Sequence, residues 1–320
     1  MHYRRLGRSG LKVSEISLGA WITFGDQIDD KIASDLIHAA YDQGINFFDN
    51  ADIYANGQAE SVMGKAIKDL SRESLVISSK VFWPTMPGPN GRGLSRKHII
   101  ESVNASLKRM EVEYFDLYFC HRYDPDTPVE EVVRTMNDLI HQGKILYWGT
   151  SEWNAAQITK AFGIARQFGL IPPAMEQPQY NMFHRDRVES ELSPLYAEFG
   201  LGLTTWSPLY SGILSGKYNK GVPKGSRASL DDMSWIRDRI TPARINIVKE
   251  LTNFARSINI TTSQLAIAWL LRRKEVSSVI TGASRLEQLD ENLLAAEAID
   301  QLDDDALESI EQLLDNNPLR

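Results

Sequence analysis

Eight short apolar runs recur along the chain, most of them about 30 residues apart, which is the length of one strand–helix unit. They centre on Ile16–Leu18, Phe47–Phe48, Val76–Ile77, Leu117–Phe119, Ile145–Trp148, Ala174–Glu176, Leu203–Trp206 and Val279–Ile280. Each reads as a buried strand. Segments of helical period lie between them. Ile99, Val103 and Leu107 mark one apolar face; Leu265, Ala268 and Trp269 mark another, with Arg272 at its polar edge. Helix starts are signalled by Thr127-Pro128-Val129-Glu130, a capping box with Pro at the first helical position. Thr261-Thr262-Ser263-Gln264 and Ser284-Arg285-Leu286-Glu287 read as two further capping boxes. Eight strands alternating with helices predict an α/β fold, a closed (β/α)8 TIM barrel. An open doubly wound sheet is the competing arrangement, since strand number alone does not close a barrel.

Some segments depart from the repeat. Gly7-Arg8-Ser9-Gly10 lies between two short strand-like runs in Tyr3 to Ser14, predicting an N-terminal β-hairpin that plugs the bottom of the barrel. Phe82 to Gly93 is rich in Pro and Gly, and Pro208 to Ala243 is a long insertion after the seventh barrel strand. Both fall on the C-terminal side of the barrel, where long loops bind ligands. An acidic helix from Asp303 to Asp315 is expected to pack outside. No linker divides the chain, so residues 1–320 are expected to form a single barrel domain with extra helices.

Four reactive residues stand at the C-terminal ends of three successive runs. Asp49 and Tyr54 follow the second, Lys80 ends the third and His121 follows the fourth. In a parallel barrel that edge builds the active site. A loop tyrosine, a surface lysine, a helix-capping aspartate or a core histidine would each be ordinary alone. Together, at one edge, they predict a pocket holding a proton donor, a cation, a carboxylate and an imidazole. The four types together suit a single reaction in which charge develops on a substrate atom while a proton is delivered there. Trp21, Phe24, Trp83, Tyr123 and Trp153 also follow strand ends, as walls for an aryl or small hydrophobic aldehyde or as packing under the loops. Arg92 and Arg122 suggest instead a carboxylated or phosphorylated substrate.

The balance of the chain excludes other classes. A net charge of -7 gives no electrostatic footprint for nucleic acid or an acidic membrane. Six His and one Cys leave little for a structural metal site. Cys120 sits inside an apolar run and has no partner for an internal disulfide, which suits a reducing compartment. No run is long enough to span a bilayer, and the N-terminus lacks a secretory apolar region, so no membrane insertion and a cytoplasmic location are expected.

No Gly-x-Gly-x-x-Gly opens a helix, so a Rossmann site is unsupported. The last barrel strand runs into Gly282-Ala283-Ser284-Arg285, where glycine and a helix N-terminus would admit an anion. Lys217, in Ser211-Gly212-Ile213-Leu214-Ser215-Gly216-Lys217, and Arg227 could close over it. An ordinary helix cap beside solvated cations is the plainer alternative.

These residues also carry a resemblance. Phe47 to Tyr54, Gly57-Gln58-Ala59-Glu60, Leu75 to Lys80, Asp116 to His121, Gly149-Thr150-Ser151 and Gly282 to Asn292 resemble, in order, the signature of the aldo-keto reductases. Gln142 to Ser151, Trp206-Ser207-Pro208-Leu209 and Ser226 to Leu230 are most similar to the branch holding the β-subunits of voltage-gated potassium channels and their bacterial reductase relatives. The resemblance implies a (β/α)8 barrel that binds NADP(H) and reduces aldehydes and some ketones. It implies Tyr54 as proton donor, Lys80 and Asp49 as its supporting pair, and His121 as the residue orienting the carbonyl. It places Ser151 and Gln177 at the nicotinamide carboxamide and Trp206 against the ring. Ser207, Pro208, Leu209, Ser211 and Lys217 match the pyrophosphate loop. Gly282, Ser284, Gln288, Glu291 and Asn292 fall at the adenosine end with Arg227, while Ala20, Trp21 and Gln27 border cofactor or substrate. With Trp21, Tyr54 and His121, Trp83 completes the expected substrate side. NADP is expected over NAD from Ser284, Arg285 and Gln288.

Two departures stand out. Glu152 replaces the Asn that many members carry, which would set a carboxylate near the nicotinamide and favour its oxidised, cationic form. The channel subunits have Asn where this chain has His121, and an N-terminal extension that it lacks. Both favour a working reductase over the alternative, a redox-sensing cofactor-binding module with slow turnover. A Schiff-base lyase working through Lys80 and a metal hydrolase are further rivals. The first does not use the tyrosine and histidine; the second has no His-x-His pair after the first barrel strand. A homo-oligomer, tetramer or octamer, is expected by analogy; the partner is a small-molecule carbonyl substrate.

Overall fold

The computed structural model describes residues 1–21, 23–25, 27–230 and 233–318. Strands β1 (Tyr3–Arg5) and β2 (Lys12–Ser14) pair antiparallel as a hairpin. Eight parallel strands then close a barrel: β3 (Ile16–Gly19), β4 (Phe47–Asp49), β5 (Val76–Val81), β6 (Phe115–Cys120), β7 (Ile145–Ser151), β8 (Met175–Gln177), β9 (Gly202–Thr205) and β10 (Val276–Thr281). The seam is made by β10 on β3, with Val279 opposite Ile16 and Thr281 opposite Leu18. All eight apolar runs are therefore barrel strands, and the open sheet is excluded.

Helices α1 (Asp30–Asp42), α2 (Gln58–Ala66), α3 (Arg96–Met110), α4 (Val129–His141), α5 (Ala155–Phe168) and α6 (Ser193–Phe199) follow β3 to β8 in turn. After β9 come α7 (Ser234–Arg239), α8 (Pro242–Ser257) and α9 (Thr262–Leu271); after β10 come α10 (Leu286–Leu293) and α11 (Asp304–Leu314). The long insertion lies between β9 and α8, as the sequence predicts, though Asp231 and Asp232 within it lie outside the described residues.

Capping boxes form at Asn154–Gln157 and Thr261–Gln264, each satisfying two orphan N–H groups for about 0.5–2 kcal/mol. The other two expected boxes do not form. At α4 the cap is Pro128, and the Thr127 hydroxyl instead donates to Asp124 Oδ2 at 2.7 Å. At α10 the cap is Arg285, because the Gln288 carboxamide reaches back to the Ser284 N–H and hydroxyl (2.9 and 3.1 Å). Helix α9 also departs from its expected amphipathic reading. Every residue from Thr262 to Leu271 is buried, since α9 lies under the C-terminal segments, and Arg272 falls just past its end.

Two apolar cores result. The larger fills the space between barrel and helices. The smaller lies inside the barrel, where Phe47, Val76, Leu117, Phe119, Met175 and Ile280 meet Leu6 and Val13 of the hairpin. The hairpin thus plugs the N-terminal mouth. Its turn lies so close to β9 that a Cβ on Gly7 would sit 2.4 Å from the Gly200 carbonyl oxygen, and Gly7 has a left-handed φ of +54°. Only glycine satisfies both demands.

Candidate active site

Side chains alternate along a strand, so residues two positions beyond an interior one also point inward. Phe47, Val76, Leu117, Phe119 and Met175 belong to the interior core. Two steps past Phe47 is Asp49; past Val76 come Ser78 and then Lys80; past Phe119 is His121; past Met175 is Gln177. Apolar floor and polar roof are one period, and the roof is the candidate site.

Lys80 is at its centre and fully buried. Its Nζ donates to Asp49 Oδ2 at 2.7 Å, to the Asn50 carbonyl at 2.7 Å and to the Tyr54 hydroxyl at 3.2 Å. Those partners use all three ammonium hydrogens. Burial pulls the ammonium down, but the charge of Asp49, the Tyr54 oxygen and these hydrogen bonds outweigh it and hold Lys80 above its ordinary value. Asp49 Oδ1 accepts from Ser78 Oγ at 2.7 Å and from Gln177 Nε2 at 3.0 Å. Burial raises the Tyr54 hydroxyl, Lys80 opposes that, and the balance leaves it above 10.0. The Tyr54 and His121 rings meet edge to face at 5.9 Å. Burial first, then the charges of Lys80 and Arg122, push His121 well below 6.5, so its ring is neutral at pH 7. Its Nδ1 is buried and has no hydrogen-bond partner among the described residues.

Around this group lie the other expected residues. Ser151 Oγ donates to the Gln177 carbonyl at 2.9 Å. Trp206 and Trp21 meet edge to face, 6.2 Å between ring centres, and Trp21 is 40% exposed at the rim. Trp83 stands 6.3 Å from the His121 ring. Of the five aromatic wall candidates, Phe24 and Trp153 are instead core, at 1% and 0% exposure. Gln27 lies in the turn after β3, its N–H on the Thr23 carbonyl, and its side chain makes no hydrogen bond to the other site residues among the described ones.

A second group of residues forms around the start of α10. Ser207, Tyr210 and Ser211 adopt left-handed φ of 57°, 48° and 59°, and Gly212 follows at 87°. Ser207 and Leu209 anchor this turn through their carbonyls, and Pro208 is buried between them. A Cβ on Gly212 would lie 2.5 Å from Lys217 Nζ, so the lysine folds back across the turn. Partial burial and the charges of Arg227 and Arg285 push Lys217 down to about 8, although it still reaches solvent. The Arg227 guanidinium lies 3.4 Å from where a Gly282 Cβ would be. Burial lowers Arg227 as well. Asn292 is buried and Glu291 accepts from Gln264 Nε2 at 3.4 Å through its carbonyl. Cations crowded together in this way fit a polyanion, whose charge would relieve their mutual repulsion. Among the described residues, no group of three or more His, Cys, Asp or Glu is placed to hold a metal ion.

Three contributors escaped the sequence reading. The Asn50 carbonyl binds Lys80, but a backbone acceptor leaves no trace in residue type. Ser78 was findable from its two-residue offset to Lys80. Trp235 on α7 packs 6.5 Å from Trp21, and only its place in the long insertion hinted at it. Glu152, the residue at the departure after β7, is held by neighbours. Its Oε1 accepts from the Gln179 N–H at 2.6 Å and the Trp206 indole at 3.0 Å, and its Oε2 lies 3.8 Å from Arg187.

Comparison with known proteins agrees with this geometry. Residues 15–315 match the model of the aldo/keto reductase family. A probable voltage-gated potassium channel subunit beta of Arabidopsis thaliana is 51% identical over 324 aligned positions, covering 100% of this chain and 98% of the plant protein. A protein described in the same words from Oryza sativa subsp. japonica is 49% identical over the same coverage. With a family match across nearly all of its length and a barrel that brings the four signature residues together, the chain belongs to the aldo/keto reductase family.

Proposed function

We propose that the protein reduces aldehydes, and some ketones, to alcohols with NADP(H), Tyr54 giving the proton. The observation that carries this reading is the buried chain Asp49–Lys80–Tyr54, with 2.7 and 3.2 Å links, beside a neutral His121. Tyr54 keeps its proton at neutral pH, so it can act as an acid. Lys80 stabilises the phenolate left when that proton moves to the carbonyl oxygen. Asp49 keeps Lys80 charged and in place in a site where an unpaired ammonium would be costly. His121, neutral, can donate one N–H to the carbonyl oxygen and orient it.

A bound nicotinamide supplies the hydride for the carbonyl carbon. Ser151, Gln177 and Trp206 are the residues that would hold its ring, with Glu152 fixing Trp206 through the indole N–H. Ser207, Pro208, Leu209, Ser211 and Lys217 would take the pyrophosphate. Arg227, Gly282, Ser284, Gln288, Glu291 and Asn292 would take the adenosine end. The cations at Arg227 and Arg285, beside the adenosine end, favour the extra phosphate of NADP over NAD.

A second reading is a redox-sensing module that binds the cofactor and turns over slowly. The similarity to two plant proteins described as probable channel β subunits favours it. The test is NADPH consumption against a panel of aromatic, aliphatic and 2-oxo aldehydes, with Tyr54→Phe beside wild type. Sustained turnover that falls roughly 100- to 10,000-fold in the variant, with NADPH binding kept, supports the reductase. Tight NADPH binding without turnover in wild type supports the module, and retained activity in the variant removes Tyr54 as donor.

A further inference from the structure

Arg122 follows His121 directly, and among the described residues no acid pairs with its guanidinium. Nη1 donates to the His121 carbonyl at 2.5 Å and lies 3.4 Å from Ser151 Oγ. Those contacts fix the side chain, half-buried, and use one nitrogen of the fork. Among the described residues no carboxylate ion-pairs with Arg122. Asp124, two positions on, spends Oδ2 on the Leu94 N–H and the Thr127 hydroxyl and Oδ1 on the Asp126 N–H. Glu152 is held by Trp206, Gln179 and Arg187. A second guanidinium, the exposed Arg92, comes within 5.7 Å of the same Trp83 ring that Arg122 approaches at 5.7 Å. In a chain of net charge -7, two arginines at one pocket that have no acidic partner among the described residues leave charge available to a ligand.

The positions suit a substrate with two polar ends. Trp83 stands 6.3 Å from the His121 ring and 5.7 Å from the Arg122 guanidinium carbon, so it borders both. We propose that Arg122 anchors a carboxylate on the substrate, so that the favoured substrates are carboxylated aldehydes lying against Trp83. This rests on the reductase reading of the same pocket. A planar carboxylate matches the free nitrogens of the fork and would compensate a half-buried charge. Arg92 adds a second, weaker attraction from solvent.

The test compares carboxybenzaldehydes with their neutral formylbenzamide isosteres in NADPH-dependent turnover, for wild type, Arg122→Gln and Arg122→Lys. Wild type is expected to prefer the acid, chiefly through KM. In Arg122→Gln the ratio of kcat/KM for acid over amide should fall about 10- to 100-fold, the worth of one charge-assisted hydrogen-bonded pair. Arg122→Lys should restore part of that ratio. Arg122 also braces Ser151 and the His121 carbonyl, and a merely structural role would lower both substrates together. An unchanged ratio in Arg122→Gln, or amide turnover in wild type without preference for the acid, overturns the proposal while leaving the reductase reading intact. A preference for formylphenyl phosphate over every carboxylated aldehyde overturns the carboxylate assignment. Failure of wild type on both acid and amide overturns the reductase reading and this proposal together.

Discussion

A lysine with no solvent contact survives only if every ammonium hydrogen finds an acceptor and its charge a counter-charge. Lys80 has both, from Asp49, the Asn50 carbonyl and Tyr54. Removing the counter-charge while keeping the shape isolates that requirement. Asp49→Asn should destabilise the protein by about 3–5 kcal/mol at neutral pH, the usual cost of breaking a buried pair. The urea midpoint measures it, and an unchanged midpoint would mean that water or another acid already compensates Lys80. The four reactive residues were legible in sequence, because residue type and strand end are both written there. The Glu152–Trp206 bond and the Trp21–Trp235 contact were not, because each joins segments whose proximity arises only once the barrel has closed.

At the scale of the element, the apolar runs spaced about 30 residues apart placed the eight barrel strands. The side-chain alternation that decides which residues enter the pocket became readable only once the interior positions were known. Cap signals were less dependable, because a hydroxyl can bond a neighbour within its own turn instead of the helix N–H: Asp124 for Thr127, Gln288 for Ser284. The same alternation puts Glu176 of β8 on the outer face, fully buried, where the Thr150 hydroxyl and the Trp153 N–H donate to it. Burial raises its carboxyl from 4.5 to about 8. Between those values the native state keeps a proton that the unfolded chain has lost, so this group makes stability fall as pH rises through the window. Glu176→Gln retains both contacts, with its amide donating to Thr150. The variant should match wild type near pH 4.5 and gain on it by up to about 1.4 kcal/mol per pH unit toward 8. Urea midpoints across that range check it; a constant offset would show that Glu176 ionises normally.

For the molecule as a whole, the C-terminal helix is tied down by charge. Arg185 donates to both oxygens of Glu189 (3.2 and 2.8 Å) and both of Glu311 on α11 (2.9 Å each), and its guanidinium lies 5.0 Å from the Trp269 ring of α9. Arg272 approaches the same ring at 3.6 Å. Arg185→Leu would leave two acids short of a partner and should cost about 3–5 kcal/mol, read from thermal unfolding. A loss below about 1 kcal/mol would show that Arg272 alone holds Glu189 and that the α11 contact is dispensable.

The barrel seam joins β3 to β10, and Arg4 of the hairpin donates to the carbonyls of Arg273 and Val276. The first strands to leave the ribosome therefore wait for nearly the last. Until Thr281 has emerged, β3 and β9 are open sheet edges, and the apolar interior has neither its closing wall nor its bound plug. Synthesis, at about 5–20 residues per second, gives that half-made cylinder many seconds of exposure. The nascent chain is then a natural client for factors that shield unpaired strands.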